Sequence, residues 1–294
     1  MDSTDEFLKK VRDIDLKTRK LLKEGLANQY LSAFRGSGMQ FREFRKYVYG
    51  DDVRHISWTM SAKTEDPVLK LFEEERDRTF MLVVDASGSI RRGGWAKEKA
   101  DRAAEIAGTL ALSAAESADL VGLMLFTDRV ETLLPPSKGR NHMLRIIREI
   151  LAFNPQGRGT DPDHALQSLY PFLKKQSIVF FISDMEKIPN HRLIQRFAKK
   201  HEFVAIQIEN PKEWELPKGA FLELESSESS RPVTVDSNTS TISNYLKLFY
   251  DGREALAEEE FHKRNIDFLK ISTQEDYILS LRNFFRSRSG RGRR

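Results

Sequence analysis

The fold class predicted for this chain is α/β: a doubly wound, mostly parallel sheet with one antiparallel edge strand, preceded by a helical and extended amino-terminal extension. Three observations predict it. Two stretches, Thr79–Val84 and Ile178–Ile182, are almost continuous apolar runs, the pattern of strands covered on both faces. Segments of helical length separate these runs from other short apolar ones, as in successive βαβ units. Each run then ends in oxygen-bearing residues, Asp85 in the first case and Ser183-Asp184 in the second, at the sheet edge where open α/β sheets bind ligands.

The elements follow in order. Residues 5–24 carry Leu8, Val11, Leu16, Leu21 and Leu22 among many charges, with Gly25 just beyond, which predicts an amphipathic helix. A glycine-punctuated stretch at 35–40 and an aromatic, basic segment at 41–58 come next, and 67–77 reads as an extended strand leading to the central strand at 79–85. An alanine-rich helix is expected over 95–117 and a strand over 119–126. The turn Thr127-Asp128-Arg129 suits a hairpin, so the short strand near 129–134 is the antiparallel one. Helices at 139–152 and 162–174, a strand at 177–183, a helix at 190–200 and a strand at 202–208 continue the alternation. Extended segments near 220–225, 231–236 and 266–272, a helix between 240 and 264, and a last amphipathic helix over 275–286 complete it. The expected organisation is an extension over 1–78, the α/β domain over 79–286, and an arginine-rich tail over 287–294. That tail has no apolar residues and is expected to be disordered.

Composition narrows the function classes. The formal net charge is +4, but five arginines lie in the last nine residues, so the remainder is near −1 (+4 − 5) and is no basic nucleic-acid platform. Nucleic-acid binding through the tail is therefore a minor reading beside a solubilising role. The absence of cysteine excludes disulfides, thiolate catalysis and zinc–sulfur or iron–sulfur sites. Charges fill the amino terminus where a signal peptide would be apolar, and no window approaches the roughly 18 apolar residues of a membrane span. A cytoplasmic location is expected.

Chemistry concentrates in three separated stretches. Asp85-Ala86-Ser87-Gly88-Ser89 follows the central strand, Gly159-Thr160-Asp161-Pro162 precedes a helix, and Asp184 ends the second apolar run. Hydroxyls and carboxylates are hard oxygen ligands, so Asp85, Ser87, Ser89, Thr160 and Asp184 are candidate ligands of one Mg²⁺ or Mn²⁺ ion per chain. Gly88 lets the backbone bend between the serines. With so few carboxylates, the ion would keep waters or take an acidic ligand from a partner. Other chemistries fit less well. No Walker A sequence and no Gly-x-Ser-x-Gly elbow occur, and Ser87 stands where a dehalogenase-type phosphatase would place its acid/base aspartate. A metal-dependent hydrolase using a metal-bound water is the alternative, with Asp161, Asp163, His164 or Glu186 as general base. His55 and His164 otherwise read as structural or surface imidazoles.

The five residues resemble the metal-ion-dependent adhesion site of von Willebrand factor A-type domains, with Asp85, Ser87, Ser89, Thr160 and Asp184 in the ligand positions. A second resemblance lies upstream. The pattern Gly36-x-Gly38-x-x-Phe41-Arg42-Glu43-Phe44-Arg45-x-Tyr47-x-x-Gly50-Asp51-Asp52-x-Arg54-x-Ile56-x-Trp58 is similar to the signature of a bacterial family catalogued as domain of unknown function fifty-eight. Phe72–Arg78 and Ile266–Thr273 fit it too, so the likeness covers about residues 30–286. This resemblance implies a Rossmann-like von Willebrand A fold and a non-catalytic, metal-dependent protein-interaction module. The implied partner is a MoxR-type AAA+ ATPase, with an acidic partner residue completing the coordination. Two departures stand out: the chain lacks the membrane helices of many relatives, and Met185-Glu186 follow Asp184 where many A-type domains have glycine. Arg42, Arg45, Arg54 and Trp58 are open to two readings: a partner-docking surface, or a clamp onto the sheet through Asp51, Asp52 or Glu73–Glu75.

Overall fold

The computed structural model describes residues 2–23, 25, 30, 33–34, 39–64, 66–74, 78–91, 96–157, 159–214, 221–225, 232–236, 248, 252 and 255–291. A six-stranded sheet is built from β3 (Thr79–Asp85), β4 (Leu120–Phe126), β5 (Val130–Ser137), β6 (Ile178–Ser183), β7 (Glu202–Glu209) and β10 (Asp267–Ser272). Its order is β10-β7-β6-β3-β4-β5. Every pairing is parallel except β4 with β5. This is the expected doubly wound α/β sheet with one antiparallel edge.

Strand alternation decides which side chain enters which layer. Phe80, Leu82 and Val84 of β3 join Val121, Leu123 and Leu125 of β4 and Phe180 and Ile182 of β6 on one face. Met81 and Val83, with Met124, Phe126, Val179 and Phe181, face the other way. Both faces are covered, which is why these strands read as unbroken apolar runs. The first face is closed by α1 (Asp2–Lys23), α4 (Ala96–Glu116), α5 (Arg140–Ala152) and α9 (Tyr277–Arg291), and the second by α6 (Pro162–Leu169), α7 (His191–Lys200) and α8 (255–262).

The expected boundary at residue 78 runs through this core. Val11, Ile14 and Leu21 of α1, and Tyr30 and Phe34 after it, are buried in the same cluster as the sheet. Gly108 of α4 allows the approach: a Cβ there would stand 2.8 Å from Ile14 Cγ2 and 3.1 Å from Ile147 Cγ1. Lys10 to Asp101 (2.7 Å) and Thr18 to Thr109 (3.2 Å) fix the register of the two helices. The part of 1–78 that stands apart is shorter. It is a hairpin of β1 (Met39–Lys46) with β2 (Val68–Glu74), carrying the helix α2 (Trp58–Thr64) in its connection. Neither β1 nor α2 is anticipated by the sequence reading.

The carboxyl end also departs from expectation. The last helix continues to Arg291 rather than stopping at 286, into the segment expected to be disordered. Arg288 explains the difference. Its guanidinium pairs with Glu202 and Asp267, donates to the Ala33 carbonyl (3.0 Å) and lies 4.6 Å from the centre of the Phe34 ring. Residues 292–294 lie outside the described residues, as does most of the stretch of the expected 240–264 helix before 255. β8 (Phe221–Glu225) and β9 (Pro232–Asp236) form a separate antiparallel pair. Among the described residues, no helix is long and apolar enough to cross a membrane.

One buried group gives the fold a pH signature. His201 is 2% exposed, and its Nδ1 accepts the Ser177 backbone N–H at 3.2 Å. Burial, and secondarily the charge of Lys200, push its pKa down from 6.5 to about 4. The unfolded chain takes up this proton below about pH 6.5 and the folded chain resists until about 4, so the stabilising contribution is complete above 6.5 and disappears as pH falls through that window. His201→Phe is therefore expected to gain stability relative to the wild type as pH is lowered from 7 to 4.5. Urea unfolding of both proteins at several pH values checks this; a pH-independent difference would contradict it.

Candidate functional site

β3 and β6 are parallel neighbours with Val84 opposite Ile182, so Asp85 and Ser183-Asp184 emerge side by side at the carboxyl edge. The chain turns at once into α3 (Gly88–Arg91). Asp85 Oδ1 accepts the Ser87 backbone N–H (2.9 Å), and Asp85 Oδ2 accepts the Ser183 hydroxyl (2.8 Å). Ser87 Oγ and Ser89 Oγ stand 3.1 Å apart. An octahedral magnesium ion with bonds of about 2.0–2.1 Å has neighbouring ligands roughly 2.9 Å apart, so the two hydroxyls already span about one edge of such a shell.

Asp184 is held by a strained turn. Met185 adopts φ 55°, a left-handed conformation unusual for a side chain of this size, and the turn lets Asp184 Oδ1 accept the Glu186 backbone N–H (3.1 Å). The Met185 side chain is itself buried in the second core layer, which locks the turn. A methionine thus occupies the left-handed position that, by backbone geometry, suits glycine.

Thr160 arrives from the other side of β3, on a loop suspended from the β4–β5 hairpin. The Glu131 carboxylate accepts the Thr127 hydroxyl (2.8 Å) and the backbone N–H groups of Gln156 (3.1 Å) and Gly157 (2.7 Å). The Asp161 N–H donates to the Thr127 carbonyl at 2.9 Å. Asp161 then caps α6 by accepting from His164 N–H (2.9 Å), with Pro162 in the first turn. The Thr160 carbonyl accepts Lys187 Nζ at 3.1 Å. Beside it opens a cleft of about 500 Å³ lined by Asp128, Thr160, Asp161, Asp163, Lys187 and Ile188.

The five expected ligand residues share one sheet edge and all are buried, from 0% exposed for Ser87 to 7% for Ser89 and Asp184. Burial, reinforced by the nearby charge of Asp184, raises the Asp85 pKa to about 7 despite the bonds from Ser87 and Ser183. Against this stands Lys99, on the first turn of α4 and 1% exposed. Its ammonium donates to Asp184 Oδ2 (3.1 Å) and Glu213 Oε1 (2.7 Å). Burial disfavours its charged form, but the two carboxylates outweigh that and leave its pKa above the ordinary lysine value. Among the described residues no three histidine, cysteine or carboxylate side chains gather as a metal cluster, so a metal here would depend on hydroxyl oxygens.

The other expected residues divide. Asp163 accepts the Asn190 backbone N–H (2.6 Å) and His164 is exposed, so neither is set beside Asp85 by these contacts. Arg45 pairs with Asp51 (2.9 Å) and Arg54 with Asp52 (2.6 Å), both within their own segment rather than onto the sheet. Solvent screens such exposed pairs, so they add little to stability. Trp58 is 72% exposed. The side chains of Arg42 and Glu73–Glu75 lie outside the described residues. Sequence reasoning missed Lys99, Glu131 and Glu213. For Lys99 a signal existed: it falls on the stripe continued by Ala103, Ile106, Ala107 and Leu110, the buried face of the helix.

Fold and site together define a doubly wound α/β domain with a buried cluster of hydroxyls, carboxylates and one ammonium at its carboxyl edge. The chain belongs to the family described as protein of unknown function DUF58, whose model matches residues 43–254. Uncharacterized proteins of Mycobacterium tuberculosis (Rv1480) and Mycobacterium bovis (Mb1516) are each 28% identical over 231 residues, 77% of this chain and 73% of theirs. Among solved structures, the conserved hypothetical protein BatB of Bacteroides thetaiotaomicron aligns at 12% identity and TM-score 0.46, over 72% of this chain and 99% of that one. A von Willebrand factor type A protein from Catenulispora acidiphila aligns at 11% identity and TM-score 0.41, over 72% and 42% respectively.

The Thr160 loop has one position that admits no side chain. A Cβ on Gly157 would fall 2.2 Å from Thr127 Oγ1 and 2.3 Å from Asp128 Oδ1, and Thr127 is tied to Glu131. Gly157→Ala is expected to lose about 1–3 kcal/mol of stability as the loop shifts; chemical denaturation measures it, and an unchanged midpoint would show that the loop is not held in this way.

Proposed function

We propose that the carboxyl edge of the sheet binds one Mg²⁺ or Mn²⁺ ion and that the protein is a non-catalytic interaction module working through it. Ser87 and Ser89 would be direct ligands, with Asp85, Thr160 and Asp184 holding the ion directly or through water. The observation that carries this reading is the pair of buried hydroxyls 3.1 Å apart beside Asp85. They lie next to two carboxylates whose mutual repulsion a cation would relieve. The family resemblance of the five residues in order supports the same reading.

When bound, the ion would supply a fixed positive charge with an open coordination position suited to an acidic side chain. This chain's residues do the rest. Ser183 and the Ser87 N–H orient Asp85, Glu131 sets the Thr160 loop, and the Met185 turn aims Asp184. The partner that fits is a protein presenting a Glu or Asp, and from the family resemblance we assign that role to a MoxR-type AAA+ ATPase. The exposed hairpin bearing Trp58 is available as a second contact surface.

Titration calorimetry of the metal-free protein with Mg²⁺ and Mn²⁺ tests the reading. Saturation near one ion per chain is expected, with at least a hundredfold loss of affinity in Asp85→Ala and retained far-ultraviolet circular dichroism. Capture of the ATPase should require the metal and be abolished by chelator. Equal binding by wild type and Asp85→Ala would sink the assignment.

A further inference from the structure

Lys99 occupies an unusual position for a lysine. It is 1% exposed, on the buried face of a helix otherwise lined by Ala103, Ile106 and Ala107, and its ammonium lies 3.1 Å from Asp184, a carboxylate of the proposed metal site. A buried ammonium is retained only where carboxylates compensate it, and here there are two. The second is Glu213, in the 3₁₀ turn Pro211–Trp214 that follows β7. That turn is tied to the same end of the helix by another bond, from Asn210 Nδ2 to Glu98 Oε2 (2.7 Å), and Asn210 is fully buried. Lys99 therefore sits at the junction of three pieces of chain: the end of β6, the start of α4, and the 210–214 turn.

Resting on the metal-site reading above, we propose that Lys99 is an internal cation that competes with the divalent ion for Asp184, lowering the site's affinity for metal. Both positive charges are drawn to one carboxylate, and at such range in a buried setting they repel strongly. Metal binding draws Asp184 toward the ion and leaves Lys99 with Glu213, so occupancy is transmitted to the 210–214 turn. Lys99 is thus a positioning residue that acts through Asp184. The geometry distinguishes it from a simple structural ion pair, because one member of the pair is a ligand and the other has an alternative partner already within 2.7 Å.

The test is Mn²⁺ titration calorimetry on the full chain as wild type, Lys99→Met, Lys99→Arg, Glu213→Gln and the double variant Lys99→Met/Glu213→Gln. Lys99→Met is expected to bind Mn²⁺ at least tenfold more tightly, and its melting temperature to rise more steeply with Mn²⁺ than that of the wild type. Lys99→Arg keeps the charge and should stay within threefold of the wild type. Glu213→Gln confines Lys99 to Asp184 and should weaken Mn²⁺ binding severalfold, with a smaller effect when Lys99 is already methionine. Wild-type binding with Lys99→Met no tighter would overturn the role of Lys99 and leave the metal site standing. Were Lys99→Met unable to fold, unchanged Mn²⁺ affinity in Glu213→Gln would overturn it equally. No saturable Mn²⁺ binding by any of the proteins would overturn both readings together.

Discussion

Two carboxylates buried at the ends of adjacent parallel strands are the constraint around which this sheet edge is arranged. Asp85 and Asp184 cannot be moved apart without breaking the β3–β6 pairing, and burial makes their shared negative charge costly. The surrounding groups each answer part of that cost. Backbone N–H groups of Ser87 and Glu186 and the Ser183 hydroxyl donate to the two acids. Lys99 supplies a full positive charge on one side only, at Asp184. Among the described residues Asp85 is met by hydrogen bonds rather than by a cation, and burial together with the charge of Asp184 raises its pKa. The asymmetry matters: among the described residues, the acid that Lys99 does not reach is the one next to the two serine hydroxyls.

The apolar sheet makes this arrangement rigid enough to function. Val84 and Ile182, one residue before the polar edge, are fully packed against helices on the first face, while Val83 and Phe181 are packed on the second. Polar side chains at the edge therefore begin where two filled layers end, and they inherit fixed backbone positions. Local strain is accepted in return at Met185, whose buried side chain holds a left-handed turn open beside Asp184. The Thr160 loop has no such strand beneath it and is fixed instead by Glu131 and by the absence of a side chain at Gly157.

Much of this was legible in the sequence, for identifiable reasons. Strands covered on both faces appear as apolar runs, so β3 and β6 and the residues ending them could be placed to within a residue or so. Asp85, Ser87, Ser89, Thr160 and Asp184 could be grouped because strand ends of a doubly wound sheet converge on one edge. Contacts across long separations left weaker traces. Lys99 meets Asp184 across 85 residues and Glu213 across 114, and its own neighbours, Lys97 and Glu98, look like any solvated helix face. Helix α1 reads as an appended amphipathic helix because its pattern shows that one face is buried but not what it is buried against. The arginines after residue 286 read as a tail because charge without apolar residues signals disorder, yet Arg288 finds Glu202, Asp267 and an aromatic ring. Isolated pairing of this kind has no periodicity to detect.

The ring cluster beneath the sheet has a consequence for how the molecule is made. Tyr30 and Phe34 touch Phe80 and Phe180 on one side and Phe285 on the other, with ring centres 5.1–6.0 Å apart. The bond from Arg288 to Ala33 closes the same cluster across 255 residues. During synthesis Tyr30 and Phe34 must wait for Phe285 and Arg288, which are translated some ten or more seconds later at about 5–20 residues per second. The sheet, too, lacks β10 until then. High contact order of this kind slows folding, so the nascent protein spends that interval with apolar surface open to chaperones and to aggregation, and only the arrival of the last helix shuts it.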